Sequence, residues 1–332
     1  MEFITIENLN TINFELTDYC NAACPMCSRH NWDGSLKNIV NKNHTTLEFI
    51  KEKVGVDVIR QLKHILSCGT YGDAIMNPQC LEIYDFFRKN NDGKIELFTN
   101  GGARSTQFWK DFASLNLKVT FSIDGLSDTN HLYRRNVKWD KLIENVQSYL
   151  NNGGRATWEF LIFKHNEHQI EEARALSKKL GFETFIPKHT GRWKDYDDNG
   201  EYRDLTVIQV DDYKLEMPES QRQWQTIKNV RPLEYFKDKE KTHQRIECKS
   251  CSHNRYEIYI RANGLVSPCC WLGNIKIHEA KRLIYDFDEV SLHHTQLEDI
   301  LRGEFFKMLS VGIADTSSKH SLMTCLGACG VN

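Results

Sequence analysis

The feature that most constrains this chain is a repeated alternation of short apolar runs with segments of helical period. Apolar runs of strand length fall at 12–16, 64–67, 94–99, 119–123, 158–163 and 182–186. Between them the period changes. From 46 to 62 the residues Leu47, Ile50, Val54, Val58 and Leu62 recur three or four apart, with Thr45 or Thr46 able to cap the helix. A second helix is expected at about 78–88. Leu142, Ile143, Val146, Tyr149 and Leu150 mark another, closed by Gly153 and Gly154. Asn166 opens a further one with Gln169 at the capping-box position, and its apolar face, Ile170, Ala173, Leu176 and Leu180, stops at Gly181. Strands that alternate with helices pair in parallel, and right-handed crossovers curl such a sheet towards a barrel. The expected fold class is therefore α/β, with any chemistry at the carboxyl ends of the strands.

At the end of the first of these strands comes Cys20-Asn-Ala-Ala-Cys24-Pro-Met-Cys27. Three close thiols make a metal claw with one ligand missing, because a closed zinc or iron–sulfur site takes four ligands and no fourth cysteine or histidine pair follows at zinc-finger spacing. A cluster held by three thiolates keeps one iron free. The other readings of the triplet are a structural zinc knuckle or reduced core cysteines, since free cysteine buries well.

With this three-then-two spacing near its start, the chain resembles the radical S-adenosylmethionine (SAM) superfamily. The resemblance implies a partial (β/α)6 TIM-like barrel over residues 10–190, with a 4Fe–4S cluster on Cys20, Cys24 and Cys27 as catalytic ligands. Its open iron would chelate the amino and carboxylate groups of SAM, and reductive cleavage would give a 5'-deoxyadenosyl radical that abstracts hydrogen from substrate. The family's usual aromatic residue before the third cysteine is Met26 here, which still packs on a ring. Gly72 and Asp73, after the second strand, match the family's Gly-Gly-Glu segment, which meets the SAM amino group; an ammonium needs close acceptors, and an aspartate serves. Asn100, in Thr99-Asn100-Gly101-Gly102, matches the family's Thr-Asn-Gly turn facing the cofactor. Ser122 matches the serine that approaches the SAM carboxylate or ribose, and Asp124 before Gly125 is equally a turn residue. Arg134, Arg135, Lys164 and Lys188 lie at the same rim and suit a carboxylate or phosphate, or are ordinary solvated charges.

Eleven cysteines cluster at the two ends of the chain, which fits metal ligation better than a disulfide framework. Residues 191–245 lose clean periodicity, with a polar stretch at 194–201 expected as an exposed loop and a strand at 205–210; this segment is a linker or shapes the substrate mouth. In 246–332, Cys248 and Cys251 precede two strands joined by Asn263-Gly264, a hairpin signal with a type I′ turn. Cys269 and Cys270 follow, then a helical stretch near 297–309, then Cys325 and Cys329. Cys251, twelve residues, Gly264, four residues and Cys269 resemble the auxiliary-cluster domain called SPASM and its short form, Twitch. That resemblance implies an auxiliary 4Fe–4S cluster on Cys251, Cys269, Cys325 and Cys329, with Cys248 also at a permitted spacing. Cys270 would point the other way along a strand from Cys269. The same four thiolates could hold a structural zinc.

A net charge of −2 gives no electrostatic reason for nonspecific binding to nucleic acid or a membrane surface. No run is long enough to span a bilayer and no cationic leader precedes one, so a cytoplasmic protein is expected. The implied function is a radical SAM oxidoreductase or modifying enzyme, oxidising or crosslinking a peptide. With the triplet beginning at residue 20, no separate peptide-recognition domain is expected ahead of the barrel, which keeps oxidation or epimerisation of a small molecule such as an aminosugar as the alternative. A flavodoxin or ferredoxin is the electron donor that the resemblance implies. The rival from another class is a non-enzymatic structural zinc protein.

Overall fold

The computed structural model describes residues 3–30, 35–37, 40–196, 202–210, 213–222, 245–248, 250, 255–273, 286–322, 325 and 329–331. Its centre is a parallel sheet of β1 (Thr11–Phe14), β2 (His64–Ser67), β3 (Lys94–Thr99), β4 (Lys118–Ser122), β5 (Arg155–Leu161) and β6 (Thr184–Lys188), hydrogen-bonded in that order. Strands β1 to β5 are buried along most of their length, as a parallel sheet covered by helices requires. The helices α1 (Leu47–Lys53), α2 (Val56–Gln61), α3 (Cys80–Asn90), α4 (Thr106–Ala113), α5 (Asn130–Tyr133), α6 (Trp139–Leu150) and α7 (Ile170–Leu180) lie in the connections. This is the expected α/β partial barrel.

The segment expected as one helix over 46–62 is two. Thr46 caps α1 by accepting from the Phe49 N–H, but Gly55 takes φ +87° and breaks the helix before α2. Only glycine adopts that conformation without strain, and the apolar spacing survives the break because Ile50, Val54, Ile59 and Leu62 all face the core. Helix α4, which the sequence reading did not pick out, is capped by Ser105 and packs Trp109 and Phe112 against Tyr149 of α6. Asn166 does not cap α7. Its amide donates to the carbonyls of Asp124 and Leu161, and Gln169 reaches Thr129, the Leu126 N–H and Asp128, so both side chains tie down the loop after β4.

Beyond β6 come β7 (Lys194–Tyr196), β8 (Tyr202–Asp204), β9 (Val207–Val210), β10 (Tyr213–Glu216) and β11 (Arg245–Ile246). The stretch expected as a loop from 194 thus begins as a strand paired with β8, and 197–201 lies outside the described residues. The expected hairpin is present as β12 (Glu257–Ile260) and β13 (Val266–Ser267). Its turn is a type I turn with a bulge rather than type I′, for only Gly264 has positive φ, and Arg261 and Gly264 are joined by a backbone bond of 2.9 Å. Strand β12 pairs in parallel with β1, Thr11 opposite Glu257 and Phe14 opposite Ile260, so the hairpin extends the barrel sheet to eight strands. Finally β14 (Gly330–Val331) pairs with β11, after the helices Leu297–Arg302 and Glu304–Ala314.

Candidate functional site

The chain leaves β1 at Phe14, so residues 15–30 form a loop over the carboxyl ends of the strands. Cys20 and Cys24 each meet a donor from another part of that rim, and Cys27 meets donors from its own loop. Asn100, just after β3, directs Nδ2 at Cys20 Sγ, 3.6 Å away. Arg134, after α5, directs Nη1 at Cys24 Sγ at 3.7 Å. Burial pushes Cys24 up to about 11, although the Arg134 charge opposes it. Burial also raises Cys27, but a hydrogen bond from His30, the charges of Arg192 and Arg29 and the Arg29 N–H outweigh it and bring that thiol down to about 7. Cys20 is raised by burial, then by the nearby charges of Asp73, Cys24 and Cys27.

Arg29, Arg134 and Arg192 thus lie near the thiols, and Arg29 Nε is buried with no hydrogen-bond partner among the described residues. Cations and amide donors aimed at sulfurs stabilise thiolates, the form that ligates metal. These residues therefore fit an anionic group held by three thiolates. Among the described residues, no three His, Cys, Asp or Glu side chains are gathered closely enough for one metal ion. A four-iron cluster takes its thiolates at separate corners.

The loop after β2 is bound to this one. Gly72 lies so close to the triplet loop that a Cβ would sit 2.0 Å from the Thr17 carbonyl oxygen, and the Asp73 N–H donates to Tyr19 O at 2.9 Å. Asp73 is 4% exposed. Its Oδ2 accepts from Thr99 Oγ1 at 2.9 Å, from the Asn100 N–H at 2.8 Å and from Asn100 Nδ2 at 2.7 Å, while Oδ1 accepts from the Ile75 N–H. Burial carries its carboxyl up to about 6 against those bonds. Asn100 also donates to Asn21 Oδ1 at 3.0 Å and accepts from the Gly102 N–H. Asp73, Asn100, Asn21 and Cys20 thereby form one chain of contacts.

Asp124 is completely buried beyond β4, bonded to Arg134 Nε at 2.6 Å and to the Leu161 N–H at 2.7 Å; burial raises it even so. Ser122, half-buried, ends β4. Met26 is buried in the core, and its carbonyl accepts from Arg192 Nη1. Lys164 and Lys188 are engaged by Glu216 and Glu159 as exposed ion pairs.

At the C-terminal end, the pairing of β11 with β14 sets Glu247 beside Cys329, its N–H donating to Cys329 O at 2.9 Å, and Cys248, the next residue, is disulfide-bonded rather than a free thiol. Cys269 feels the Cys329 charge; burial, the largest effect, pushes its thiol up to about 12 while the Leu272 and Trp271 N–H groups oppose. Cys325 is buried, and Cys251 lies outside the described residues. Cys270 turns to the barrel instead, where the Cys68 thiol and burial raise it.

Six residues of this architecture escaped the sequence reading: Glu15, Asn21, Arg29, His30, Arg192 and Tyr259. Glu15 is 3% exposed and accepts from the N–H groups of Thr70, Tyr71 and Gly72 at 2.9, 3.1 and 2.9 Å, and from the Tyr259 hydroxyl. Burial lifts its carboxyl to about 8. The available signals were an acid inside an apolar run and an asparagine directly after the first thiol.

The profile of the Radical SAM superfamily matches residues 14–176, and that of an iron–sulfur cluster-binding domain, SPASM, matches residues 248–330. A search of curated protein sequences finds no match to this chain. Among solved structures, polyhistidine-tagged anSMEcpe with bound AdoMet is 13% identical with a TM-score of 0.58, over 97% of this chain and 85% of that one. Streptococcus suis SuiB bound to S-adenosylmethionine is 12% identical with a TM-score of 0.50, over 80% of this chain and 61% of SuiB. SuiB bound to precursor peptide SuiA gives 12% and 0.52, over 95% of this chain and 67% of that one. The chain thus spans about three fifths of the first SuiB structure, and at these identities the likeness is one of fold.

Proposed function

Because the chain belongs to the radical SAM superfamily and carries a C-terminal iron–sulfur cluster-binding domain, we propose that it is an enzyme that removes hydrogen from a peptide, with net oxidation. Membership in that family assigns it SAM and 4Fe–4S clusters as cofactors. Cys20, Cys24 and Cys27 would hold the catalytic cluster, and Cys251, Cys269, Cys325 and Cys329 the auxiliary one, with Cys248 a further candidate once its disulfide is reduced. When bound, the catalytic cluster and SAM supply a 5'-deoxyadenosyl radical as the abstracting agent. The protein's own part is placement. Gly72 and Asp73 bring the second strand's loop against the triplet, Asn100 links that loop to Cys20, and Ser122 offers a hydroxyl at the neighbouring strand end.

The observation that carries the reading is the convergence on the triplet of Asn100 from the end of β3, Arg134 from beyond β4 and the Arg192 charge from beyond β6, beside His30 and Arg29 of the loop itself. The peptide substrate is supported by the complexes of SuiB with its precursor peptide and of anSMEcpe with the Cp18Cys peptide, both proteins of this fold. A low-potential flavodoxin or ferredoxin is the electron donor we assign.

Anaerobically reconstituted protein, given dithionite and SAM, is expected to release 5'-deoxyadenosine and methionine and to carry about eight irons for two clusters. A colourless protein with stoichiometric zinc and no iron would overturn the enzyme and leave a structural zinc protein. For the substrate, a peptide fraction of cell extract should raise 5'-deoxyadenosine formation and yield a peptide lighter by two hydrogens. Stimulation only by the small-molecule fraction would replace the peptide with a compound such as an aminosugar.

A further inference from the structure

Glu15 plays no part in the scheme above, yet it is a buried carboxylate, and burying one is costly unless its oxygens are engaged. They are engaged by three successive N–H groups of one loop, Thr70, Tyr71 and Gly72, and by a phenol from the C-terminal hairpin. Three consecutive N–H groups aimed at one point make an anion nest, here filled by the protein's own side chain. In a trans peptide the carbonyl points opposite to the N–H that follows it. Fixing those amides on Glu15 therefore turns the loop's carbonyls away from it, and among the described residues no backbone donor reaches the carbonyls of Gly69 and Thr70. Acceptors of that kind are what an ammonium group needs.

The same loop is gripped from the C-terminal segment at one further point, where the Arg261 guanidinium lies 4.9 Å over the Tyr71 ring. Tyr259 and Arg261 belong to β12 and its end, the strand that pairs with β1. A barrel loop is thus held by a side chain from just past β1 and by side chains from the auxiliary domain.

The geometry points to Glu15 as a positioning residue that hangs the 68–73 loop from the auxiliary domain's β12 through Tyr259, so that SAM affinity depends on that domain as well as on the barrel. This inference rests on the functional reading above, in which the loop meets the SAM amino group. Neither Glu15 nor Tyr259 touches the cofactor; they act through the loop's backbone.

The test uses iron-loaded protein and two readouts: equilibrium binding of SAM, and hydrogen exchange of the 68–73 amides without SAM. Tyr259→Phe removes one hydroxyl and keeps the ring in the core. It should weaken SAM binding a fewfold and speed exchange of the loop, with turnover at saturating SAM nearly unchanged. Glu15→Ala should weaken binding about tenfold or more, with Glu15→Gln between the two, since the amide keeps one acceptor oxygen. A purely structural role would lower the melting temperature without moving the dissociation constant. Wild-type affinity and loop exchange in both Tyr259→Phe and Glu15→Gln would overturn the inference, even if Glu15→Ala fails to fold. If the wild type binds no SAM, the functional reading falls, and loop exchange alone still decides whether Glu15 and Tyr259 hold the loop.

Discussion

The two ends of one sheet handle buried carboxylates in opposite ways. Near the amino-terminal end, Glu96 on β3 is met by His64 at 2.9 Å, Lys94 at 2.7 Å and Lys118 at 3.7 Å, residues that begin β2, β3 and β4. Burial would raise it, but the hydrogen bonds and charges of His64 and Lys94 win and draw it down to about 2. At the carboxyl-terminal end, Glu15, Asp73 and Asp124 are all raised by burial, and backbone amides or neutral side chains do most of the holding; only Asp124 has a cation bonded to it. Cations around a carboxylate favour its charge and hence the fold. Fixed amide dipoles instead orient loops and leave a site with its polarity set in advance. In such barrels the first end is the stabilising one and the second the working one.

Four substitutions probe that contrast, in falling order of effect. Replacing Cys20, Cys24 and Cys27 together with alanine should abolish SAM cleavage and remove about half the iron; cleavage retained would mean that the catalytic cluster lies elsewhere. Arg134→Leu strands the buried charge of Asp124 and should cost about 3–5 kcal/mol of stability in urea titration, whereas a second change, Asp124→Leu, should recover part of it. Gly72→Ala pushes a methyl into the Thr17 carbonyl. It should cost about 1–3 kcal/mol and weaken SAM binding while leaving triplet iron in place.

The smallest effect is expected at the other end. Glu96 titrates near 2 in the folded state against an ordinary 4.5, so its contribution is complete above 4.5 and is lost as pH falls towards 2. Glu96→Gln should lower stability by about 1–2 kcal/mol at neutral pH and flatten that acid limb, with SAM cleavage unchanged. A large loss of cleavage would erase the distinction between the ends.

Much of this was legible in the sequence, for reasons specific to each element. The first five strands follow from runs of apolar residues, because a doubly covered parallel strand has little polar face to interrupt it, whereas β6, with alternate residues exposed, rests on the apolar Phe185 and Ile186. The triplet is legible because its ligands are local. Glu15 is not, since its hydroxyl partner, Tyr259, lies 244 residues away and a glutamate is seldom fully buried without a partner that the local sequence shows. Asn166 and Gln169 had the spacing of a capping box, but tertiary partners in the loop after β4 displaced the helix end as their target. Gly55 split a helix whose apolar period continued unbroken across the gap, so periodicity alone concealed the turn.

The parallel pairing of β1 with β12 also bears on how the chain is made. Strand β1 is finished at residue 14, but the neighbour that covers its outer edge is not finished until residue 260. At usual ribosomal speeds that interval is roughly 10–50 s. For that time the strand that leads into the cysteine loop has one row of backbone groups unpaired, a template for pairing with another nascent chain. The interval is also the period in which the loop lies open to whatever delivers iron and sulfide, before the C-terminal hairpin closes against it.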